Sequence, residues 1–388
     1  MSSIRQLFLQ CFVAIALLIT SCGATAEEDG QSGLDLFGSL RLRLEQDWDS
    51  RSGDNIKRDD RLRLRYRLRG GAKYTFDERW SARVAIRSGK DDSQQSSHTT
   101  IKDFDGGDDG PYDFNFDFWH LTYQSNGFEA WVGRNEPSFL HQTALLSFDN
   151  ITYAGVGGSY RHEVGDGLWY VSFNYLELPV GMQDFVGNTV IGQLLYDREF
   201  ESAGFSIGLG YDLSDADADD PKGELLLTDN NTRDYSVLSL QLQYRSTFRD
   251  RPLKLGFDYS HNLEDYSDEP VDSFSQFHEG DVNGYTALVQ WGGTSDPGDW
   301  QFSYFYAYQE ALTLNSSYVQ DEWVRWGSGG QTRATNIRGR ELRLVHTFSE
   351  RMNIMARLFL VDAIDFLEPG DIAKETGNRF RIDWNLRF

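Results

Sequence analysis

Beyond residue 26 the chain has no cysteine at all, because its two cysteines are Cys11 and Cys22. A thiol-free body excludes a disulfide framework and a cysteine-held metal, so packing, hydrogen bonding and closure must stabilise the fold. Proline is scarce as well, 8 residues in 388, while aromatics reach 14%. That balance suits a long run of strands. No stretch after residue 26 approaches the about 18 consecutive apolar residues of a membrane-crossing helix. Positive charge is also in deficit. The formal net charge of −23 argues against nucleic-acid binding. A mean hydropathy of −0.52 would suit a soluble protein. A membrane barrel with a polar interior has the same average, because its lipid-facing residues are spread over many short segments.

Residues 1–26 stand apart from the rest. Arg5 gives a basic start, Cys11 to Ile19 is unbroken apolar sequence, and Ala24-Thr25-Ala26 is a small-x-small cleavage site. These are the marks of a secretory signal peptide, cut after Ala26, leaving 27–388 as a single transmembrane barrel domain. Ile19-Thr20-Ser21-Cys22 resembles a lipobox, and a lipid on Cys22 would tether the N-terminus instead. A closed barrel has no need of that anchor.

What is abundant is strict alternation. In the last stretch Phe380, Ile382, Trp384, Leu386 and Phe388 share one face, and Arg379, Arg381, Asp383, Asn385 and Arg387 share the other. A chain ending this way suits the closing strand of an outer-membrane barrel, and the pattern resembles the signal read by the barrel-assembly machinery. Arg61 to Arg69 alternates with Leu62, Leu64, Tyr66 and Leu68 in the same fashion. A change of phase near Phe118 and Trp119 reads as a bulge. Short turns near 77, 126, 165, 201, 250, 296 and 350 alternate with long loops near 53, 100, 143, 183, 224, 271, 322 and 370. The expected fold is all-β, a transmembrane antiparallel barrel of about sixteen strands, with short periplasmic turns, long extracellular loops and both termini on one side. A soluble sandwich would instead show evenly spaced turns.

The inward face is rich in arginine: Arg41, Arg43, Arg61, Arg63, Arg65, Arg67, Arg69, Arg83, Arg87, Arg379, Arg381 and Arg387. Closure would bring the last three beside Arg41 and Arg43, forming a continuous basic wall. Half or more of these cations should be paired with Glu45, Asp383 or loop carboxylates, because an unmatched buried cation is costly. A barrel of about sixteen strands encloses an aqueous lumen, and a wall of arginine favours anions. Asn135 to Asn150 is long enough to fold inward, placing Glu136 and Asp149 opposite the wall as constriction acids.

Other patterns carry less. Asp215-x-Asp217-x-Asp219 begins like a calcium loop but has Asp220 where glycine is needed and Leu226 where glutamate is needed. The acidic loops could gather divalent cations that bridge lipopolysaccharide phosphates, though solvated charge accounts for them more simply. Gly204-Phe205-Ser206-Ile207-Gly208 spells a nucleophile elbow, yet it sits within an alternating strand with no helix after it. The seven histidines show no metal-ligand spacing. Neither a catalytic site, a metal nor a cofactor is expected.

Gly38 to Arg43, Arg61 to Arg69, Gly133-Arg134-Asn135-Glu136, Phe148 to Thr152 and the final aromatic strand together resemble the bacterial outer-membrane porins. They are similar also to barrels of the alginate-export type. The resemblance implies a diffusion channel in the bacterial outer membrane, surrounded by lipid and lipopolysaccharide, passing small hydrophilic solutes and compatible with a homo-oligomer. A dedicated channel for an acidic polysaccharide is the alternative. A lipid-acting barrel enzyme is a third and weaker one.

Overall fold

A computed structural model describes residues 32–388 apart from 92–93, 95–96, 108–109, 111, 143–144, 147–149, 183, 218–232, 271–272, 320–321 and 324–334. The expectations for residues 1–26, for Cys22 and for Asp149 lie outside the described residues.

The alternating segments are strands throughout. In chain order they are β1 (Gly33–Arg51), β2 (Arg61–Thr75), β3 (Trp80–Ser88), β4 (Thr99–Asp103), β5 (Phe114–Ser125), β6 (Phe128–Asn135), β7 (Tyr153–Val164), β8 (Gly167–Val180) and β9 (Asp184–Glu199). The second half has β10 (Ala203–Ala216), β11 (Tyr235–Phe248), β12 (Arg251–Asn262), β13 (Asn283–Gly292), β14 (Trp300–Gln309), β15 (Ile337–Ser349), β16 (Met352–Ala363) and β17 (Thr376–Arg387). Among the described residues one short helix, α1 (Phe274–Phe277), interrupts the loop after β12.

Every pairing is antiparallel, and the sheet closes where β17 pairs with β1, matching Ser39 to Arg387, Arg43 to Asp383 and Asp47 to Arg379. Two further backbone bonds join Gly38 and Phe388, N–H to carbonyl at 2.8 and 3.0 Å. Closure leaves no edge, which is what a sheet in hydrocarbon requires. Sixteen staves make the barrel. The seventeenth strand, β4, shares a stave with β3: β3 pairs only with Arg69–Thr75 of β2, and β4 pairs with Arg63–Tyr66 above it. The stretch around 100, expected to be loop only, is drawn into the wall because the upper half of β2 would otherwise leave backbone groups unpaired.

The phase change in β5 is a bulge. Phe118 pairs with Ala85 and Phe116 with Ile86, so Asp117 is the extra residue. One long loop is absent. Around 183 the strands continue until β8 and β9 are joined by residues 181–183, and Gly181 supplies a φ of +59° for the tight reversal.

Outside, the strands present an apolar band that includes Ile86, Phe116, Leu209, Leu238, Leu344 and Ile382, all exposed. Near the short turns, aromatics form a girdle: Tyr74 with Phe76, Trp80 with Tyr123, Trp169 with Tyr196, and Trp300 with His346, with ring centroids 4.2 to 5.0 Å apart. A girdle of amphipathic rings marks a membrane–water interface.

Two clusters of buried apolar residues join loops to the inner face of the wall. One cluster joins Leu145, Leu146, Leu314 and Val319 of two loops to Tyr235, Phe305 and Phe359 of the wall. A second brings Tyr318 against Tyr153, Leu176 and Ile191. Loop side chains therefore cover inward-facing apolar positions on the strands, and burial at about 25 cal/mol per Å² holds the loops there.

Candidate functional site

The register arranges the inner face into rows that cross neighbouring strands. From β2 through β1, β17 and β16 to β15, one row reads Arg61, Asp47, Arg379, Phe359, Glu341. The next reads Arg63, Glu45, Arg381, Arg357, Arg343, and a third begins Arg65, Arg43, Asp383. Arg67, Arg41 and Asn385 start a fourth.

Carboxylates on β1 and β17 thus stand among the arginines, and most of the wall is paired. Asp47 receives Arg61 at 2.8 Å and Arg379 at 2.5 Å. Glu45 receives Arg381 at 2.6 Å, Arg65 at 3.5 Å and also Arg63. Arg43 grips Asp383 with two donors, at 2.6 and 3.0 Å, and Arg41 reaches Asn385 at 2.6 Å. At the bulge, Asp117 takes Arg69 at 3.0 Å and Arg87 at 3.6 Å. The continuous basic wall is therefore a ladder of both signs. The antiparallel register interleaves the acids of the first and last strands with arginines.

Two of the expected arginines stand away from the ladder. The Arg83 guanidinium lies over the rings of Phe37 and Phe118, 4.5 and 4.3 Å from their centroids. Arg387 is exposed at the end of β17, opposite Ser39.

Three loops turn inward onto this framework. The Leu140 N–H donates to Gln193 Oε1 at 2.8 Å, and the Gln142 N–H donates to Asp258 Oδ2 at 2.6 Å. The described part of 135–150 therefore runs across to β9 and β12. Gln94 and His98 lie against the arginines: Arg65 donates to the His98 carbonyl at 2.8 Å, and Arg87 to the Gln94 carbonyl at 2.7 Å. The loop after β14 is buried from Ala311 to Val319 and again at Trp323.

That third loop carries the acid that reaches the arginines. Glu322 Oε1 is 3.1 Å from Arg43 and 3.2 Å from Arg381, its Oε2 meets Arg357, and its backbone carbonyl accepts from Arg379 at 2.8 Å. Burial pushes the Glu322 carboxyl upward, but the charges of Arg357, Arg43 and Arg381 outweigh it and hold the group well below the usual carboxylate range. Glu136, expected in that position, is exposed and makes no salt bridge with a described residue.

Arg343 and Arg357 extend the ladder beyond the arginines expected from the sequence, and a periodic signal marks Arg343. Glu341, Arg343 and Val345 alternate with Leu342 and Leu344, as Arg61 to Arg69 does with its leucines. Both donate to Glu341 at 2.7 Å. Glu322 gave no such signal, since no periodicity marks a loop acid. Ser206 lies inside β10, bonded to Asp197 and accepting from Arg245 at 2.5 Å, without the strand-to-helix turn of an elbow.

The Gram-negative porin family model matches residues 13–358. The chain belongs to the Gram-negative porin family. Among solved structures, this porin is similar to OprB of Pseudomonas putida at high pH, with a TM-score of 0.55 and 12% identity over 92% of this chain and 94% of that one. It is similar to an anion-selective porin from Comamonas acidovorans, with a TM-score of 0.51 and 15% identity over 92% and 100%. OmpT, an outer membrane protein of Vibrio cholerae, gives a TM-score of 0.51 and 13% identity over 94% and 100%. No curated protein matches the sequence. These likenesses establish the fold, and together with the family they place the chain in the bacterial outer membrane as a porin channel.

Proposed function

We propose that this porin passes small hydrophilic anions, drawn and oriented by the arginines of its inner face. The observation carrying this is the row Arg63, Glu45, Arg381, Arg357, Arg343, in which guanidinium groups outnumber carboxylates four to one. Fixed positive charge in a confined lumen raises the local anion concentration and lowers that of cations. On the same reading Glu136 would set acid against base across the lumen, where desolvation and Asp117 oppose its charge while Arg69, Arg87 and Arg83 favour it. Asp149 would do the same on the other limb of that loop. Anion selectivity in a porin of the same fold from Comamonas acidovorans agrees with it.

Planar-bilayer recording under a potassium chloride gradient tests the proposal. A reversal potential on the anion side, reduced when Arg63, Arg65 and Arg67 are all changed to glutamine, is expected. No ion preference, or one untouched by the triple variant, sinks it. Current blocked by a polyuronate but not by a neutral polysaccharide would favour the polysaccharide channel instead. Fatty-acid release from phospholipid without conductance would favour the enzyme.

The surroundings follow from the same reading. Residues 1–26 would be removed on export to leave 27–388, and the barrel-assembly machinery would receive the chain through Phe380, Ile382, Trp384, Leu386 and Phe388. Lipopolysaccharide would cover the outer rim, and protomers would associate through the apolar band.

A further inference from the structure

We propose that the position taken by the Glu322 carboxylate is the binding seat of a solute carboxylate, with Glu322 acting as a tethered competitor for it. The inference rests on the anion-channel reading above and names the chemical class of solute that binds there.

The register places Arg357 of β16 directly opposite Arg381 of β17. Like charges facing one another in a sheet repel, so this pair calls for a shared anion. Each arginine around the position already has an acid on the wall: Asp383 for Arg43 at 2.6 Å, Glu45 for Arg381 at 2.6 Å, and Glu341 for Arg357 at 2.7 Å. Glu322 is an additional anion supplied from off the wall, and it bridges all three.

The shape of the seat selects the anion. Two oxygens of one planar group are engaged, Oε1 by Arg43 and Arg381 and Oε2 by Arg357. A free carboxylate offers the same two coplanar acceptors, whereas a tetrahedral phosphate brings a third oxygen that these contacts leave without a donor. Glu322 does not use the seat fully. Arg381 Nη1 is buried 3.2 Å from Oε1 yet lacks a hydrogen bond to it, and an untethered carboxylate can turn to accept one. Beside the seat lies the buried ring of Phe359, 4.7 and 5.6 Å from the Arg357 and Arg381 guanidinium carbons and 5.8 Å from the Trp323 ring. The ring is fully buried beside that indole, so the carbon body of an organic acid would reach it by taking the place of Trp323.

The experiment measures block of chloride current through the full-length porin in planar bilayers, using succinate and its neutral analogue succinamide. Succinate should reduce the wild-type current with a saturable midpoint, and succinamide should not. A tethered group competes at an effective concentration in the millimolar range, so Glu322→Gln should lower the midpoint by about tenfold. Adding Arg381→Gln to that variant should raise it again. Equal effects of succinate and succinamide on the wild-type channel overturn the proposal and need no variant to fold. An unchanged midpoint in a Glu322→Gln channel that is recovered as a heat-resistant, conducting barrel also overturns it. A wild-type reversal potential with no anion preference instead removes the underlying channel reading, which separates the two failures.

Discussion

Arg43 and Asp383 hold each other across the seam where the first and last strands meet, with Nε and Nη2 bound to the two carboxylate oxygens at 2.6 and 3.0 Å. Both side chains are almost fully withdrawn from solvent, at 1% and 0% exposure. Removing one member of such a pair strands a buried charge, and the usual cost is about 3–5 kcal/mol. Arg43→Met should therefore lower the urea midpoint of the barrel in lipid far more than Arg43→Met combined with Asp383→Leu. Equal losses in the single and double variants would show that the pair contributes little beyond packing.

The described part of 135–150 is held inward by the Gln142–Asp258 bond and by Leu145, which is fully buried against wall and loop. Leu145→Ala leaves a cavity costing about 2–5 kcal/mol at the point of contact. The loop should then sample outward positions, giving larger and noisier single-channel conductance. A quiet, unchanged trace would mean that the loop does not limit the current path.

Acid should loosen the loops inside the lumen. Glu322 has a folded value below its ordinary 4.5, so its stabilisation is present above that ordinary value and is lost as pH falls through the lowered one. For His98, burial comes first and Arg43, Arg65 and Arg67 add to it, keeping the imidazole well below its ordinary 6.5. Below about pH 6.5 an unpacked His98 gains a proton that the packed one refuses, so the penalty has the same sign and begins earlier. Limited proteolysis of the segment holding His98 should speed up as pH falls below about 6.5, and that of the loop after β14 only below about 4.5. His98→Asn should remove the part that begins near neutrality, and identical profiles for variant and wild type would exclude His98.

Gly38 and Phe388 sit so close that a Cβ on Gly38 would come within 2.2 Å of the Phe388 ring. Gly38→Leu should expel that ring from the seam, and deleting Phe388 should remove both bonds joining it to Gly38. Each change should lower the yield of heat-resistant barrel in membranes. Normal yield from the deletion would show that closure and delivery rely on Phe380 to Leu386 alone.

The wall was legible because its physics is periodic. Leu62, Leu64, Tyr66 and Leu68 must face lipid if Arg61 to Arg69 face inward, and that two-fold rule carries from Leu36 to Phe388 without knowledge of any partner. The register was not legible, because Glu45 can be recognised as inward-facing without revealing that Arg63 and Arg381 stand on either side of it. Loops escaped for a different reason. Glu322 reaches the arginines because Leu314, Val319 and Trp323 bury themselves against Phe359 and its neighbours, and no short-range pattern reports a contact between a loop and a distant strand.

The interleaved acids of β1 and β17 also specify how the seam may join. A slip of two residues is the smallest that keeps every inward side chain inward. Slipping one way sets Arg43 against Arg381. Slipping the other way sets Glu45 against Asp383 and Arg41 against Arg387. Only the observed match of Arg43 with Asp383, Glu45 with Arg381 and Asp47 with Arg379 puts opposite signs together at all three positions. The charges that shape the lumen thereby proofread the alignment of two strands more than 300 residues apart in the chain.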